Sequence, residues 1–445
     1  MSTVMLRPSA GLAAALAEEM RQGRERTLQL IAPLSDEDVR VQHDPLLSPI
    51  VWDLGHIAGF EELWLTRNLD GPIEFTEMPG LYNPFEHPRR ERGSLVLPGL
   101  DECTMLLADV RRRVLERMAT VDFDSDNRLL RHGYVYRMVA QHEAQHTETI
   151  LQTLQLKQGG AYRPVERREP PAGRDSDLAQ AGATGAMVDI AGGRYSVGTD
   201  DTNAAYDNER TRHAVELRPF RIDITPVTNR QYLEFIADGG YTRPEFWSAA
   251  GQAWLDESGA NAPKYWTLTG GQWLTRGMDR VAPVDGSHPV SHVTYHEADA
   301  FARWAGKRLP TESEWEVAAT WDPATGAPRA YPWGDEPPDS RLANIDHLTF
   351  GTAPVGAYPR NRSPLGCYGM IGDVWEWTSS DFTGYPGFTA FPYPEYSEVF
   401  FGSEYKVLRG GSWATRPGVA RSTFRNWDYP IRRQIFSGFR CAADA

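Results

Sequence analysis

The sequence predicts a multidomain α and α+β fold, in which a helical bundle at residues 8–157 is followed by a linker at 158–186 and an irregular α+β domain at 187–445. Three observations support this division. The chain has 445 residues, which is more than a single hydrophobic core usually supports. Apolar residues recur at three- and four-residue intervals up to about residue 157. Beyond residue 187, short segments rich in glycine, proline and tryptophan take their place.

Four segments of the first region have the helical period, and each begins near a Ser, Asp or Pro, as helices often do. They are AGLAAALAEEMRQGRERTLQLI, SPIVWDLGHIAGFEELWLTRNL, LDECTMLLADVRRRVLERM and DNRLLRHGYVYRMVAQHEAQHTETILQTLQL. Four such helices predict an antiparallel four-helix bundle, and the core of a bundle can hold a metal ion between side chains of facing helices.

The segment GGAYRPVERREPPAGRDSDLAQAGATGA is rich in Gly, Pro, Ala and charge and has no regular period, which is typical of a linker. The region after it combines short extended segments, such as IAGGRYSVGT and YKVLRGGSW, with short helical ones, such as NRQYLEFIADG. We therefore expect a domain dominated by loops.

Charge and apolar patterning exclude several classes of protein. A net charge of -14 disfavours binding to nucleic acid, because that needs clustered Lys and Arg. Charged residues interrupt the apolar stretches before they reach the length of a membrane span, and the N-terminal residues lack the apolar region of a signal peptide. The three cysteines are far apart, so the sequence encodes neither a disulfide framework nor a thiolate zinc site. We expect a cytoplasmic protein with no nucleic-acid or membrane partner.

The segment HEAQHTE contains two candidate metal ligands. On a helix, His142 and His146 lie about 40° apart on one face, so both imidazoles can reach one ion. Gln145, about 60° from His142, can also face that ion. Surface helices carry histidines at this spacing by chance, so the pair alone does not define a site.

His56 is the candidate third ligand, because it stands among apolar residues of WDLGHIAGFEELW that should be buried. The alternative is a core histidine hydrogen-bonded to a backbone carbonyl. Three imidazoles suit zinc, copper, iron or nickel, and they leave coordination positions open for chemistry. HEAQH also matches the HExxH pattern of zinc proteases, in which Glu143 would be a general base.

The whole chain resembles the EgtB-type sulfoxide synthases of ergothioneine biosynthesis. The motifs that carry the resemblance are HDPLLSPIVWDLGHI, LYNPFEHPRRERG, HEAQHTE, KRLPTESEWEVAA, YPWGD, GCYGMIGDVWEWTSS, VLRGGSWA and FRNWDYPIRRQIFSGFR. This resemblance implies a DinB-like four-helix bundle followed by an irregular domain related to C-type lectins and formylglycine-generating enzymes.

The resemblance further implies that His56, His142 and His146 bind iron(II). It implies three substrates: dioxygen, hercynine (Nα-trimethylhistidine) and a thiol. The product is a sulfoxide with sulfur joined to C2 of the imidazole. Two carboxylates on γ-glutamylcysteine fit a pair of arginines better than free cysteine does.

By the same resemblance, the remaining site residues belong to substrates and to oxygen chemistry. Arg89, Arg92, Asp428 and Arg432 hold the charged ends of the thiol, Gln145 and Trp427 contact the histidine derivative, and Tyr393 donates a proton or hydrogen atom, with Tyr396 beside it. Tyr385 is the substitute if loop lengths differ. The alternative for an aromatic loop of this kind is packing alone. Cys441 lacks the partner cysteine of formylglycine-generating enzymes, so their copper chemistry is not expected. A calcium ion would fit the family, but the sequence names no ligands for it.

Other interpretations stay open at this point. They are the same reaction with cysteine or a selenium donor (a selenoneine synthase), a zinc-dependent DinB-type thiol transferase, and a binding module for carbohydrate or protein.

Overall fold

The computed structural model describes residues 8–69, 80–157, 160–171 and 176–445. The chain divides into two compact units, each built from separate stretches of sequence. The first unit runs to Val165 and includes the segments Asp201–Tyr206 and Phe391–Glu395; the second contains Glu166–Asp200, Asp207–Ala390 and Tyr396–Ala445. No helix in the described parts of the chain has the length and the apolar character that crossing a membrane requires.

The first unit is a helical bundle, and this part of the fold prediction is confirmed. Helix α3 packs against α4 and α5, and α1 packs against α5. The bounds are α1 (Pro8–Ile31), α2 (Asp36–Arg40), α3 (Ile50–Glu62), α4 (Leu100–Met118) and α5 (Tyr134–Leu156). The core includes the fully buried rings of Trp52 and Trp64.

Two helix ends of the first unit have local causes. Helix α3 begins after Pro49, whose ring presets a backbone angle suited to a helix start. Helix α5 begins later than its apolar pattern suggested, because His132 and Gly133 have φ angles of 54° and 77°. A right-handed helix cannot include that left-handed conformation. After α3 the chain continues as a π-helix at Leu63–Arg67, a rare form that is frequent at functional sites.

The second unit contains short helices and small sheets, as the α+β prediction required. Its helices are α6 (Ser176–Thr184), α7 (Asn229–Ala237), α8 (Ala249–Ser258), α9 (Tyr295–Trp304) and α10 (Glu312–Thr320). Its strands are β1 (Met187–Ile190), β2 (Gly193–Val197), β3 (His213–Leu217), β4 (Phe220–Asp223), β5 (Trp266–Thr269), β6 (Gln272–Arg276), β7 (Val281–Pro283), β8 (Trp321–Asp322), β9 (Ala327–Pro328), β10 (Trp375–Phe382), β11 (Gly402–Arg409), β12 (Asn426–Asp428), β13 (Ser437–Gly438) and β14 (Ala442–Asp444).

The sheets of the second unit bring distant segments together. One has the order β1-β4-β14, with antiparallel neighbours throughout. The largest has the order β12-β11-β10-β13, and in it only β10 and β13 run parallel. Trp315 of α10 lies in the buried core beside Phe220 and Ile222 of β4. Three helices begin with a threonine that forms a capping box with the residue three positions later: Thr228 with Gln231, Thr294 with Glu297, and Thr311 with Glu314.

The segment predicted as a linker, 158–186, contains helix α6, which the absence of a clear period did not indicate. The segment SDLAQ gives a favourable start, and Leu178 is buried. Residues 158, 159 and 172–175 of the predicted linker lie outside the described residues. The proposed domain boundaries stay a prediction.

Candidate metal centre

Three histidines from two helices meet in the core of the bundle. His56 stands on α3, and His142 and His146 stand one turn apart on α5, as their spacing predicted. One nitrogen from each ring lies within 4.8 Å of the other two. The Nε2 atoms of His56 and His142 are 3.2 Å apart. Three nitrogen donors at this separation can bind a single ion, so the structure contains a metal-binding arrangement.

Hydrogen bonds on the far side of two rings fix which nitrogen faces the centre. His56 Nδ1 lies 2.9 Å from the carbonyl oxygen of Tyr82. A carbonyl can only accept, so Nδ1 donates and Nε2 keeps its lone pair. His146 Nδ1 lies 3.1 Å from Oδ1 of Asp53. His56 can therefore be a core histidine hydrogen-bonded to a carbonyl and a metal ligand at the same time, because the two roles use different ring nitrogens.

Burial keeps the imidazoles of His56 and His142 neutral, as metal ligands must be. His56 and His142 are 7% and 9% exposed. Burial, and then the neighbouring His146, lower the pKa of both rings well below the usual range. An unprotonated ring at neutral pH has a lone pair ready for a metal.

Asp53 also fits a positive ion at this place. The side chain is 1% exposed, and within the described residues its Oδ2 has no hydrogen-bond partner. A buried carboxylate oxygen without a donor is costly unless a positive charge lies near it. The Arg92 guanidinium already attracts Asp53, and a divalent cation between the three imidazoles would add a second positive charge beside the unpartnered oxygen. The residues present therefore fit a metal.

Aromatic rings line the histidines on two sides. Phe60, one turn after His56 on α3, stacks on His142 with ring centroids 3.7 Å apart. Trp52, one turn before His56, stacks on the His56 ring at 4.9 Å. These rings restrict the imidazoles to one orientation and exclude water from that side of the centre.

Tyr393 belongs to the first unit, together with the histidines. It is 8% exposed, and its ring stacks on Trp64 at 5.1 Å and lies 6.3 Å from Phe60. Phe60 contacts His142 in turn, so one layer of rings connects Tyr393 to the metal-binding arrangement. The family resemblance placed Tyr393 in a loop of the second domain that reaches the metal, whereas the residue pattern alone gave no sign that Phe391–Glu395 would pack with the bundle.

The other two tyrosines have different surroundings, both within the second unit. The hydroxyl of Tyr385 donates to Glu312 at 3.2 Å, and the Arg425 guanidinium lies 4.0 Å from its ring centroid. Burial, and then the Glu312 carboxylate, raise the pKa of Tyr385 far above its usual value. Tyr396 meets the ring of Trp427 edge to face at 5.7 Å. Tyr385 is thus committed to a buried ionic cluster.

Glu143 is not placed as a general base. Arg24 Nε donates to its Oε1 at 2.8 Å, and Arg111 Nη2 donates to its Oε2 at 2.9 Å. Burial alone would raise the pKa of Glu143, but the charges of Arg24 and Arg111 outweigh it and hold the pKa to about 2. Both carboxylate oxygens accept hydrogen bonds from guanidinium groups. The HExxH interpretation instead requires this carboxylate to accept a proton from a metal-bound water, so the structure does not support it.

Arg89 and Arg92 lie in a 3-10 helix at Arg89–Ser94. Arg92 is 4% exposed, donates to the His87 carbonyl at 2.8 Å and to Ser48 Oγ at 2.7 Å, and lies 3.5 Å from the centroid of Trp52. Arg89 is exposed. Among the ion pairs of the described residues, neither guanidinium has a carboxylate partner.

Gln145 and Asp428 also have defined contacts. Gln145 Nε2 donates to the hydroxyl of Tyr206 at 2.9 Å, within the first unit. In the second unit, Asp428 Oδ2 lies 3.5 Å from Nε of Arg432, and Trp427 stacks on Phe382 at 4.1 Å. Cys367 and Cys441 are buried and not joined to each other.

Sequence reasoning missed several residues of the centre: Asp53, Phe60, Trp64, Tyr82 and Tyr206. Asp53 and Phe60 stand three before and four after His56, a spacing that places them on its helix face, so this signal was available. Tyr82 contributes a backbone oxygen and Tyr206 comes from a distant segment. The sequence has no pattern that would indicate either.

A bundle with a three-imidazole centre, in one chain with a domain of short sheets and loops, defines a class of two-domain metal-binding enzymes. Residues 19–150 match the DinB superfamily, and residues 174–445 match the sulfatase-modifying factor enzyme 1-like domain. The chain belongs to the hercynine oxygenase family, and it is an oxygenase.

Relatives cover either the whole chain or its second half. The hercynine oxygenase of Mycolicibacterium smegmatis is 45% identical over 439 residues, which are 96% of this chain and 98% of that protein. The hercynine oxygenase of Mycobacterium tuberculosis is 45% identical over 435 residues, with 96% and 98% covered. The formylglycine-generating enzyme of Thermomonospora curvata is 34% identical over 291 residues, 58% of this chain and 93% of that protein.

Proposed function

We propose that this protein is a non-haem iron(II) sulfoxide synthase that joins the thiol of γ-glutamylcysteine to C2 of the hercynine imidazole in ergothioneine biosynthesis. The observation that carries the proposal is the convergence of His56, His142 and His146 in the bundle core of a hercynine oxygenase family member. We place iron there because the family resemblance implies it, and three neutral imidazoles fit this choice since they leave open positions for substrates and dioxygen.

The reaction balances without an external reductant. The C2–H and S–H bonds break, a C–S bond and an S–O bond form, and dioxygen gives one oxygen atom to the sulfoxide and the other to water. When bound, iron(II) supplies the activation of dioxygen and holds the thiol sulfur as thiolate. The protein supplies the orientation of the substrates and the dry, aromatic wall around the centre.

Arg89 and Arg92 bind the carboxylates of γ-glutamylcysteine in this proposal. Their guanidinium groups have no carboxylate partner within the described residues, and Arg92 is a buried charge. The Asp53 carboxylate attracts the Arg92 guanidinium but forms no direct ion pair with it among the described residues. An incoming carboxylate would therefore add the charge-assisted hydrogen bond that this buried guanidinium lacks. Asp428 pairs with the ammonium of the same substrate, and Arg432 shares in binding one of its two carboxylates.

Gln145, Tyr396 and Trp427 bind hercynine. Gln145 is one residue before the ligand His146, and its amide is oriented by the hydroxyl of Tyr206. Trp427 offers a ring face to the trimethylammonium group by cation–π attraction, and Tyr396 packs against its edge.

Tyr393 is the proton or hydrogen-atom donor. What supports this choice is its position in the first unit, where its ring is held by Trp64 and connected through Phe60 to His142. The hydroxyl of Tyr385 instead donates its hydrogen bond to Glu312, so that phenol is not free to donate a proton or hydrogen atom at the metal centre.

The test is an anaerobic incubation with iron(II), hercynine and competing γ-glutamylcysteine, cysteine and a selenium donor, followed by oxygen and mass spectrometry. We expect γ-glutamyl-hercynylcysteine sulfoxide as the main product and oxygen consumption that requires both iron and thiol. Turnover with zinc, or without oxygen, would contradict the proposal and favour a transferase. His56→Ala serves as the control and should lose iron binding and sulfoxide formation together, because the proposal assigns that residue to the metal.

A further inference from the structure

Four charged side chains form a buried tetrad in the bundle: Arg24, Glu61, Arg111 and Glu143. They are 7%, 0%, 7% and 2% exposed. Arg24 Nη2 donates to Glu61 Oε2 at 2.9 Å, and its Nε donates to Glu143 Oε1 at 2.8 Å. Arg111 Nε donates to Glu61 Oε1 at 2.6 Å, and its Nη2 donates to Glu143 Oε2 at 2.9 Å. Each arginine therefore bridges both carboxylates.

The tetrad connects the four long helices of the described bundle, one residue from each. Arg24 is on α1, Glu61 on α3, Arg111 on α4 and Glu143 on α5. Both arginines also donate to backbone: Arg24 to the Leu107 carbonyl at 2.7 Å, and Arg111 to the Met20 carbonyl. These contacts fix the axial position of α1 relative to α4.

The carboxylates stand on the two helices that carry the histidines. Glu143 directly follows His142 on α5, and Glu61 follows His56 by five positions on α3. Thr27 of α1 donates to Glu143 Oε1 at 2.9 Å. Two carboxylates repel each other, so α3 and α5 are joined here only through the arginines between them.

We infer that the tetrad is a positioning device for the metal centre, which sets the register of α5 against α3 and so the distance between His56 and the pair His142 and His146. A helix rises about 1.5 Å per residue, whereas metal–ligand distances tolerate only about 0.2 Å. Apolar packing has no direction and permits small sliding movements. A guanidinium that donates to two carboxylates does not permit such sliding, because its hydrogen bonds are directional.

The competing account is that the tetrad only adds stability. Buried ion pairs are weak stabilisers, since desolvation offsets most of the attraction, and apolar replacements are often as stable. Setting a register is the better-attested use of buried polar groups. The two accounts therefore make different predictions about metal affinity in a folded variant.

The experiment measures anaerobic Co(II) binding and the visible Co(II) spectrum in the full chain, with urea unfolding of each variant. Arg111→Lys keeps the charge and removes the fork. Val114→Ala, at a fully buried position of the same helix, is the control for lost stability, and Arg113→Lys, in the partly exposed pair with Glu62, is the control for a matched substitution. We expect Co(II) affinity at least tenfold weaker, with an altered spectrum, in Arg111→Lys alone.

The inference rests on the proposed metal site, and the two can fail separately. If the unaltered protein binds no Co(II), the metal site itself is wrong. If Arg111→Lys binds as tightly as the unaltered protein, or if Val114→Ala loses affinity in proportion to its lost stability, the positioning role is wrong. Should Arg111→Lys not fold, the apolar tetrad Arg24→Met, Glu61→Leu, Arg111→Met and Glu143→Leu decides the matter. In that variant, unchanged Co(II) affinity overturns the inference and weakened affinity supports it.

Discussion

The Nδ1 atom of His146 lies 3.1 Å from Oδ1 of Asp53, and this contact joins α5 to α3 inside the three-histidine centre. A carboxylate behind an imidazole holds the ring in one tautomer and makes it a stronger donor to the metal. The same carboxylate has a buried second oxygen with no hydrogen-bond partner among the described residues, so it would also provide negative charge beside a bound metal ion.

We expect Asp53→Asn to weaken iron(II) or Co(II) affinity by about 10- to 100-fold while the fold persists. The amide oxygen can still accept from His146, but the negative charge is gone. Anaerobic metal titration measures the effect. Asp109→Asn, in exposed ion pairs with Arg112 and Arg113 on α4, is the control and should leave affinity unchanged. Equal affinity in the unaltered protein and Asp53→Asn would show that Asp53 has no role in the centre.

Arg89 and Arg92 should respond differently to replacement, although both are proposed to bind the thiol. The exposed side chain of Arg89 makes no hydrogen bond or ion pair among the described residues, so Arg89→Ala should raise the KM for γ-glutamylcysteine and not for hercynine. The expected loss is about 1.5–3 kcal/mol for one charge-assisted bond. Buried Arg92 also supports Trp52, which stacks on His56, so Arg92→Ala should additionally lower stability and metal affinity.

Steady-state kinetics with each substrate varied in turn, together with thermal unfolding, separates these outcomes. Arg90→Ala, an exposed neighbour paired with Glu91, is the matched control. Free cysteine should be less impaired than γ-glutamylcysteine in at least one of the variants, because it lacks one carboxylate. Equal KM changes for hercynine and the thiol in Arg89→Ala would exclude a selective clamp.

Asp373 gives the second unit a pH-dependent stability. Burial raises the pKa of this carboxyl from 3.8 to about 6. Between about pH 4 and 6 the folded state therefore holds a proton that the unfolded state has lost, and the free energy of unfolding falls as pH rises through that window. Two units of pKa correspond to about 2–3 kcal/mol.

Asp373→Asn should remove the share of this slope that belongs to Asp373 and raise the free energy of unfolding at pH 7 by about 2 kcal/mol. Burial also raises the pKa of Asp223 and Glu297, so their contributions should remain. An amide oxygen can still accept from Asn344 Nδ2 and the Ala353 backbone N–H, and Asn tolerates the positive φ of 63°. Urea unfolding between pH 4 and 7 measures the effect, with exposed Asp256→Asn as the control. A slope as steep in Asp373→Asn as in the unaltered protein would assign the effect to other groups.

Local periodicity predicted the parts of the centre that lie on one helix. The spacing of His142 and His146 gave their common face, and the apolar neighbours of His56 indicated its burial. The supporting shell depends on pairings between helices, which spacing does not contain: Asp53 holds His146 of another helix, although it stands nearer in sequence to His56. Family resemblance supplied the iron, the substrates and the loop tyrosine.

The fold shows the same division between local and distant information. The periodicity of apolar residues predicted the four long helices. It did not predict where α5 begins, because that start depends on positive φ angles at His132 and Gly133. Helix α6 was missed because its sequence is rich in small residues and shows no strong apolar face. The packing of Phe391–Glu395 with the bundle joins segments far apart in the chain, and no sequence pattern encodes it.

The last prediction concerns Tyr393, whose ring stacks on Trp64 and lies near Phe60, the ring that stacks on His142. Tyr393→Phe keeps the ring and its packing and removes only the hydroxyl, so both substrates should bind and oxygen should still be consumed. Without the donor, the thiolate is the nearest oxidisable group. We expect a sulfinic acid of the thiol, which takes up both oxygen atoms, to compete with the sulfoxide in mass spectrometry of the products.

The neighbouring tyrosines provide the controls for this shift. Tyr396→Phe keeps the edge contact with Trp427, so the sulfoxide should remain the main product. Tyr385→Phe breaks a buried hydrogen bond to Glu312 and should lower stability with no change in product ratio. An unchanged ratio in Tyr393→Phe together with a shift in Tyr396→Phe or Tyr385→Phe would move the donor role to that residue. A shift confined to Tyr393→Phe would mean that the hydroxyl directs oxidation toward carbon–sulfur bond formation, because ring packing is the same in both proteins.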